Sequence, residues 1–454
     1  MLDQLLVNLV GMDHDSMLAV VSLFVIGMAL DIAAYDAVLK EVYEKTLQVL
    51  LNSRTVTRNR FKSETGSWEG RTVRYPLNVG RNQGVMATSE NGKLPDAGNQ
   101  VYVEHKIPIR YNHGRIQLSI QTIKHSRSNK GAFKRALDQE MQGLVRDLSN
   151  DLNRQMFGWG KGVLALLNGD PGTTTTLTLD APGGVAGSLH GNRFFNVGMN
   201  VTFHNPADDT IRAGGARTIT AVSADGTQAT INAAADAALA DNDWVVRAAK
   251  PTTTAIADTA INNETMGLLG LVDDADFVNI LHNVNRTTYP IFKSVNIASV
   301  GPLSADIIQR GIDIADQIGE GQVQFMICHH SVRRAYLTLM EADRRYATSS
   351  DLKKPDVGTQ VAKLKEITFG DIPMFVDKDA PYGTLFGIDP TPFTRWVECE
   401  GEWADDDGTV LLRLTDVDAY EARYRIFENY SCDRPASCVR WDGITANAVV
   451  AHIV

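Results

Sequence analysis

What this sequence lacks narrows it quickly. Four cysteines, Cys328, Cys399, Cys432 and Cys438, in 454 residues are too few for a disulfide framework, and no CxxC pair occurs. Free thiols made in a reducing compartment are the expected state. The uncharged run Ser16–Leu30 falls short of the roughly 20 residues a membrane-spanning helix needs. A signal peptide would open with Lys or Arg, yet the first basic residue is Lys40. Neither export nor membrane anchoring is therefore expected. Met28 begins MALDIAAYDAVLKEVYEK, which reads as the start of a soluble protein. Residues 1–27 are expected to reflect an upstream start codon or to be removed on maturation.

Catalytic signatures are missing too. There is no GxxxxGK[ST] loop, no GxSxG elbow, no HExxH and no paired zinc ligands. The one histidine doublet, His329-His330, falls at an expected strand-to-helix turn, where capping or solvation accounts for it. Asp273-Asp274 and Asp405-Asp406-Asp407-Gly408 lack calcium-loop spacing and read as acidic turns. The six tryptophans are scattered and form no platform for sugars or bases. No catalytic residue, cofactor or metal is assigned, and the chain is expected not to be an enzyme.

What is present is an uneven charge and a mixed pattern of elements. Residues 52–162 carry 19 Lys+Arg and 9 Asp+Glu, a net of +10, so the remainder of the chain, with 25 and 45, carries −20. Such asymmetry suits subunits meeting through opposite charges, or a basic face turned to nucleic acid. Residues 31–51 read as an amphipathic helix. In 54–125, glycines punctuate the β-prone runs TVRYPLNV and VYVEHKIPIRYNHGRIQLSI, which predicts a long two-stranded excursion. A single ribbon has no core of its own and needs a surface to lie on; nothing adjacent in the chain obviously provides one, and another subunit could.

A helix over about 130–158 follows, with Phe133, Leu137, Met141, Leu144, Val145, Leu148, Leu152 and Met156 as its apolar stripe. Short strand candidates between 173 and 250 predict an inserted antiparallel β-barrel or sandwich. Beyond it, LSADIIQRGIDIADQIGEG reads as a helix capped by Ser304, QVQFMICHH as a buried strand and VRRAYLTLMEADRRY as a helix. A polar loop at 347–360 comes next. KLKEITFGDIPMFVDKDAPYGTLFGID gives three short strands, and TRWVECEG and VLLRLTDVDAYEARYRIFENYSCDRP the last two. The order predicts an α+β class with antiparallel pairing.

In that order the chain resembles the major capsid proteins of tailed bacteriophages, with the Hong Kong 97-type shell fold. GSWEGRTVRYPL is similar to the start of that family's extended loop, here about Phe61–Gln121. KGAFKRALDQEMQGLVRDLSNDLNRQMFG resembles its spine helix. GLLGLVDD, ICHHSVRRAYLTLMEADRRY and FGDIPMFVDKDAPYGTLFGID resemble its later part. The resemblance implies an N-terminal arm (1–53), an extended β-loop (54–125) and a spine helix with the start of the peripheral domain (126–172). The inserted β-module (173–250), which the minimal family pattern lacks, then precedes peripheral and axial α+β domains (251–454).

It further implies a non-enzymatic homo-oligomer, pentamers and hexamers of an icosahedral virion shell made in the host bacterial cytoplasm. Expected partners are portal and scaffolding proteins, an optional decoration protein, and packaged double-stranded DNA held by non-specific contact; no membrane is involved. Candidate inter-subunit or DNA-facing cations are Arg54, Arg58, Arg60, Lys62, Lys124, Arg127, Lys130, Lys134 and Arg135, and Trp68 and Trp159 are candidate interface anchors. Two other readings stand beside this one: an encapsulin-like nanocompartment shell, and a phage-associated carbohydrate-binding protein using 173–250.

Overall fold

A computed structural model of the chain describes residues 57–120, 130–187, 190–249, 259–344, 367–405, 408–414 and 417–445, except 67 and 69. The segment 1–27, the expected helix 31–51 and the polar loop 347–360 lie outside the described residues. The chain divides into two compact units, Met1–Ser53, His113–Arg146 and Gly401–Arg425 against Arg54–Asn112, Asp147–Glu400 and Ile426–Val454.

Strand β1 (Lys62–Thr65) follows a 3-10 turn at Arg58–Arg60. Strands β2 (Thr72–Gly80) and β3 (Val101–Pro108) pair antiparallel from Thr72↔Pro108 to Gly80↔Val101, which is the expected ribbon. Pro108 has no N–H for the ladder, and extended structure resumes in β4 (Arg110–Ser119). Helix α1 (Lys130–Met156) has 27 residues, a rod of about 40 Å at 1.5 Å per residue. Met141, Val145, Leu148, Leu152 and Met156 are buried along it, as the spacing requires. Its last turn is buried on every side, with Asn153, Arg154 and Gln155 enclosed as fully as their apolar neighbours.

The next six strands are β5 (Val163–Leu167), β6 (Thr176–Asp180), β7 (Asn200–His204), β8 (Arg217–Val222), β9 (Gln228–Ile231) and β10 (Trp244–Arg247). They close into a barrel in the order β10-β5-β6-β9-β8-β7, every pair antiparallel. Alternate residues, Leu177 and Leu179 or Val201 and Phe203, fill its interior. The barrel starts at Val163, about ten residues before the expected boundary. VLALL is apolar throughout and follows a helix closely, so it has no alternation to mark it as a strand. Gly162 (φ +78°) lets the chain into the barrel; a Cβ there would lie 2.6 Å from the carbonyl oxygen of Ala260, on the outgoing segment.

Short helix α2 (Leu268–Leu271) and the small hairpin of β11 (Ile280–Leu281) and β12 (Val284–Asn285) lead to β13 (Val295–Ile297). Then come α3 (Ala305–Gly319), β14 (Phe325–Cys328), α4 (His330–Arg344), β15 (Ile367–Phe369), β16 (Ile372–Val376) and β17 (Leu385–Ile388). The chain finishes with β18 (Phe393–Trp403), β19 (Leu412–Arg413), β20 (Ala419–Cys432) and β21 (Val439–Trp441).

One six-stranded sheet has the order β13-β21-β17-β14-β16-β15. The expectation of antiparallel pairing needs correcting here, because β13–β21 and β14–β16 are parallel. After β14, the chain returns through α4 in a crossover, and a crossover is what brings two strands side by side in the same direction. The expected cap on α3 is present, with Ser304 Oγ accepting from the Ile307 N–H at 3.3 Å. Gly311 of α3 lies flat on Trp441, where a Cβ would meet the indole at 2.5 Å, and the indole Nε1 donates to Ile307 O at 3.0 Å.

The smaller unit contains the β19–β20 pairing, Leu412↔Glu421 and Arg413↔Tyr420. Glu421, almost wholly buried, meets Arg115 at 2.7 Å, and Trp403 packs against Tyr424 at 5.2 Å between ring centroids.

Candidate interaction surfaces

The ribbon has two faces, because successive side chains alternate along a strand. Val73, Tyr75, Leu77 and Val79 of β2 and Val103, His105 and Ile107 of β3 turn to the body; their neighbours face solvent. At the base, Val73, Ile107 and Ile109 pack with Trp68, Tyr75, Trp396 and Phe427. The Tyr75 hydroxyl donates to Asp433 at 2.5 Å and contacts His105 Nδ1 at 2.9 Å. Burial pushes the His105 imidazole down to about 4, so it is neutral at physiological pH. The β11–β12 hairpin adds two bonds, Lys106 N–H to His282 O at 2.9 Å and Asn283 Nδ2 to Glu104 O at 3.0 Å. The paired strands thus rest on their own chain, a support that the sequence did not show and for which it suggested another subunit.

The tip is different. Pairing stops at Gly80 and Val101, and between them Val85, Met86 and Leu94 are 85%, 59% and 84% exposed. Local bonds shape this loop, such as Gly84 N–H to Asn82 Oδ1 at 2.7 Å, but no apolar core forms around it.

The nine basic candidates are not one surface. Arg54, Lys124 and Arg127 lie outside the described residues, and Lys130, Lys134 and Arg135 are placed only by backbone in the first turns of α1. Arg58 is buried, not outward-facing, and donates to Glu428 at 2.7 Å, while Arg395 reaches the same carboxylate at 2.6 Å. Sequence could not reveal this, since the pair is separated by 370 positions. Arg60 lies over the Phe375 ring at 3.5 Å, and exposed Lys62 meets Glu64 at 2.5 Å. Trp68 packs edge-on against Trp396 at 5.5 Å; Trp159 packs against Trp244 and Phe277 at 5.4 and 5.2 Å. Both anchor the larger unit's own interior.

Asp273 also departs from expectation. It is fully buried rather than part of a solvated turn, and bridges two fully buried guanidinium groups, Arg286 and Arg440, each at 3.1 Å. Arg286 further donates to the carbonyls of Gly270 and Leu271, and Arg440 to that of Val272. One carboxylate therefore ties the α2 turn to β21. The available signal was an arginine inside the apolar run CVRWDGI, where a cation survives only with a partner. Asp405 keeps the turn reading, its carbonyl accepting from the Gly408 N–H at 2.8 Å.

Among the described residues no group of three or more His, Cys, Asp and Glu could hold a metal, and no helix is long and apolar enough to cross a membrane. The cleft between Arg154, Trp159, Phe194, Glu264 and Asp379 encloses about 20 Å³, room for roughly one water. Arg154 there is already paired with Asp151 and Glu264.

No family model and no curated protein matches the sequence. Solved structures do. A chain of the cyanophage A-1(L) capsid asymmetric unit superposes with a TM-score of 0.54 at 10% identity, over 86% of this chain and 93% of that one. The capsid of the native GTA particle gives 0.42 at 8% identity (86% and 89% covered), and that of Myoviridae phage XM1 gives 0.41 at 9% (86% and 91%). The cyanophage likeness carries the conclusion: the chain has the α+β fold of a phage capsid protein.

Proposed function

We propose that the chain is the major capsid protein of a tailed phage, a non-enzymatic subunit forming the pentamers and hexamers of an icosahedral head around double-stranded DNA. The observation that carries this is the capsid fold running through nearly the whole of both compared chains. In Hong Kong 97-type terms, the ribbon with its tip is the extended loop and α1 the spine helix. The six-stranded sheet with α3 and α4 is the axial domain, and the barrel is an inserted module. The protein resides in the virion, is made in the host cytoplasm, and meets portal and scaffolding proteins and an optional decoration protein.

Physical support comes from the tip. Three exposed apolar side chains on an unpaired loop gain little in one copy, but covering them on a neighbour removes apolar surface from water at about 25 cal/mol per Å². A head-to-tail contact of this kind repeats around a ring and closes it. Negative-stain electron microscopy of the protein expressed alone and with its neighbouring genes tests the reading. Uniform shells or rings support it; persistently monomeric protein in both cases sinks it. Shells that carry an enzyme and exclude DNA would favour the encapsulin-like alternative. Deleting Gly80–Gly98 is expected to leave a soluble subunit that forms no particles.

A further inference from the structure

Under the ribbon, three buried imidazole nitrogens have no hydrogen-bond partner among the described residues. They are Nε2 of His105 on β3, which is completely enclosed, and both nitrogens of His282 in the turn of the β11–β12 hairpin, 7% exposed. The two ring centroids lie 5.3 Å apart. The backbone clasps β3 at the same place, since His282 O accepts the Lys106 N–H and Asn283 Nδ2 donates to Glu104 O. The barrel treats a buried histidine otherwise. His204 has Thr202 Oγ1 on one nitrogen at 3.2 Å and Asp209 O on the other at 2.9 Å. Unmet buried polar atoms cost free energy, so the pair under the ribbon asks for a physical role.

Tyr75, the cross-strand neighbour of His105, fixes where the protons sit. Its one hydroxyl proton goes to Asp433 at 2.5 Å, so it accepts from His105 Nδ1 at 2.9 Å. The His105 hydrogen is therefore on Nδ1, and Nε2 keeps a bare lone pair. A proton arriving in acid lands on Nε2, where no acceptor waits and a second imidazole stands close. Phe292 closes another side with an apolar ring. Arg110 and Arg286 oppose a charge on His282, although Arg286 is itself paired with Asp273. Burial raises the Cys432 thiol and keeps it uncharged, while Glu104 and Lys106 turn to solvent. Asp433, 3.7 Å from His105 Nδ1, is the carboxylate in reach, and burial raises it too. The outcome is a His105 imidazole pushed down to about 4 by burial and a His282 imidazole held well below 6.5.

We propose that the His105–His282 contact is an acid-released latch, closed while both rings are neutral and opened by proton uptake, which lifts β2 and β3 from the hairpin before the barrel opens. A histidine lowered on docking takes up its proton preferentially in the lifted state. Docking is therefore complete above about 6.5 and weakens as pH falls from there towards 4. Each titrating histidine favours opening by about tenfold per pH unit across that window. Asp433, being raised on docking, acts with the opposite sign and subtracts from this slope.

Hydrogen exchange of the full-length protein is followed from pH 7 to 5, with rates corrected for the intrinsic effect of pH. This range lies above that in which Glu428 takes up its proton. Protection of β2 and β3 is expected to fall by at least about tenfold per unit below 6.5, while that of the barrel changes less than about twofold. His282→Asn removes one titrating ring, and Asn tolerates the left-handed φ of +47° there. It should lower the slope for β2 and β3, and His282→Asn with His105→Gln should abolish it. His204→Asn, in the barrel, should leave that slope unchanged. Level protection of β2 and β3 in the wild-type protein overturns the latch. So does loss of protection in ribbon and barrel together, which is unfolding of the whole, or a double variant that keeps the wild-type slope. The wild-type comparison of ribbon with barrel decides even where a variant fails to fold.

Discussion

The barrel and the ribbon are both β-structure, yet they treat apolar surface in opposite ways. The barrel closes β10 onto β5, leaves no open edge in its ring, and buries Leu177, Val201, Ile219 and Val245 completely or nearly so. The ribbon lays one face on the body and then runs past it, so that Val85, Met86 and Leu94 have no cover. Closure makes a region sufficient in itself, whereas an open two-stranded end depends on whatever it meets. Stability measurements should therefore register the barrel, and assembly measurements the tip.

The largest effect belongs to the frame beneath both regions. Asp273→Ala strands Arg286 and Arg440 as buried unpaired cations and is expected to cost about 3–5 kcal/mol in urea denaturation. Within the barrel, Leu177→Ala should cost about 2–5 kcal/mol by the same measurement. At the ribbon base, Tyr75→Phe deprives Asp433 and His105 of their shared hydroxyl. It should cost about 1–3 kcal/mol and speed hydrogen exchange in β2 and β3 ahead of the barrel. At the tip, Val85→Ser, Met86→Ser and Leu94→Ser together should move subunit stability by less than about 0.5 kcal/mol while abolishing shells. Shells from that triple variant, or a large loss of subunit stability, would break the contrast.

Acid gives a further discriminating measurement. Burial alone would raise the Glu428 carboxyl, but Arg58 and Arg395 outweigh it and hold it below its ordinary value of 4.5. A depressed carboxylate contributes its full stability above that ordinary value and loses it as pH falls through the lower, folded one. Stability of the larger unit should therefore decline below about pH 4.5. Glu428→Gln should be less stable at neutral pH and show a flatter acid limb.

Local signals were legible in the sequence. The Ser304 cap, the stripe on α1, the β2 and β3 runs and the four-residue buried strand β14 all follow from spacing and residue type. What stayed hidden depends on partners far along the chain. The parallel direction of β13 with β21 leaves no local mark, and β21 itself is only three residues long. Asp273 looks like half of an acidic turn until Arg440, 167 positions away, reaches it. The basic residues of 52–162 suggested a common face, but Arg58 went inward to Glu428 and Lys62 to its own strand neighbour. Charge can be counted from sequence, whereas the pairing that cancels it cannot.

The pairing of β10 with β5 has a consequence of another kind. Trp244 lies opposite Leu166, so the chain leaves the barrel hydrogen-bonded to the strand by which it arrived. The chain enters and leaves the barrel at one place, where Gly162 passes close to Ala260, and the β6–β7 connection docks on the body a second time through Arg193 and the carbonyl of Ala380. The turn between β8 and β9 can lengthen or shorten without altering the distance the flanking chain must bridge. A peptide grafted into the turn after Val222 should therefore leave the flanking chain undisturbed.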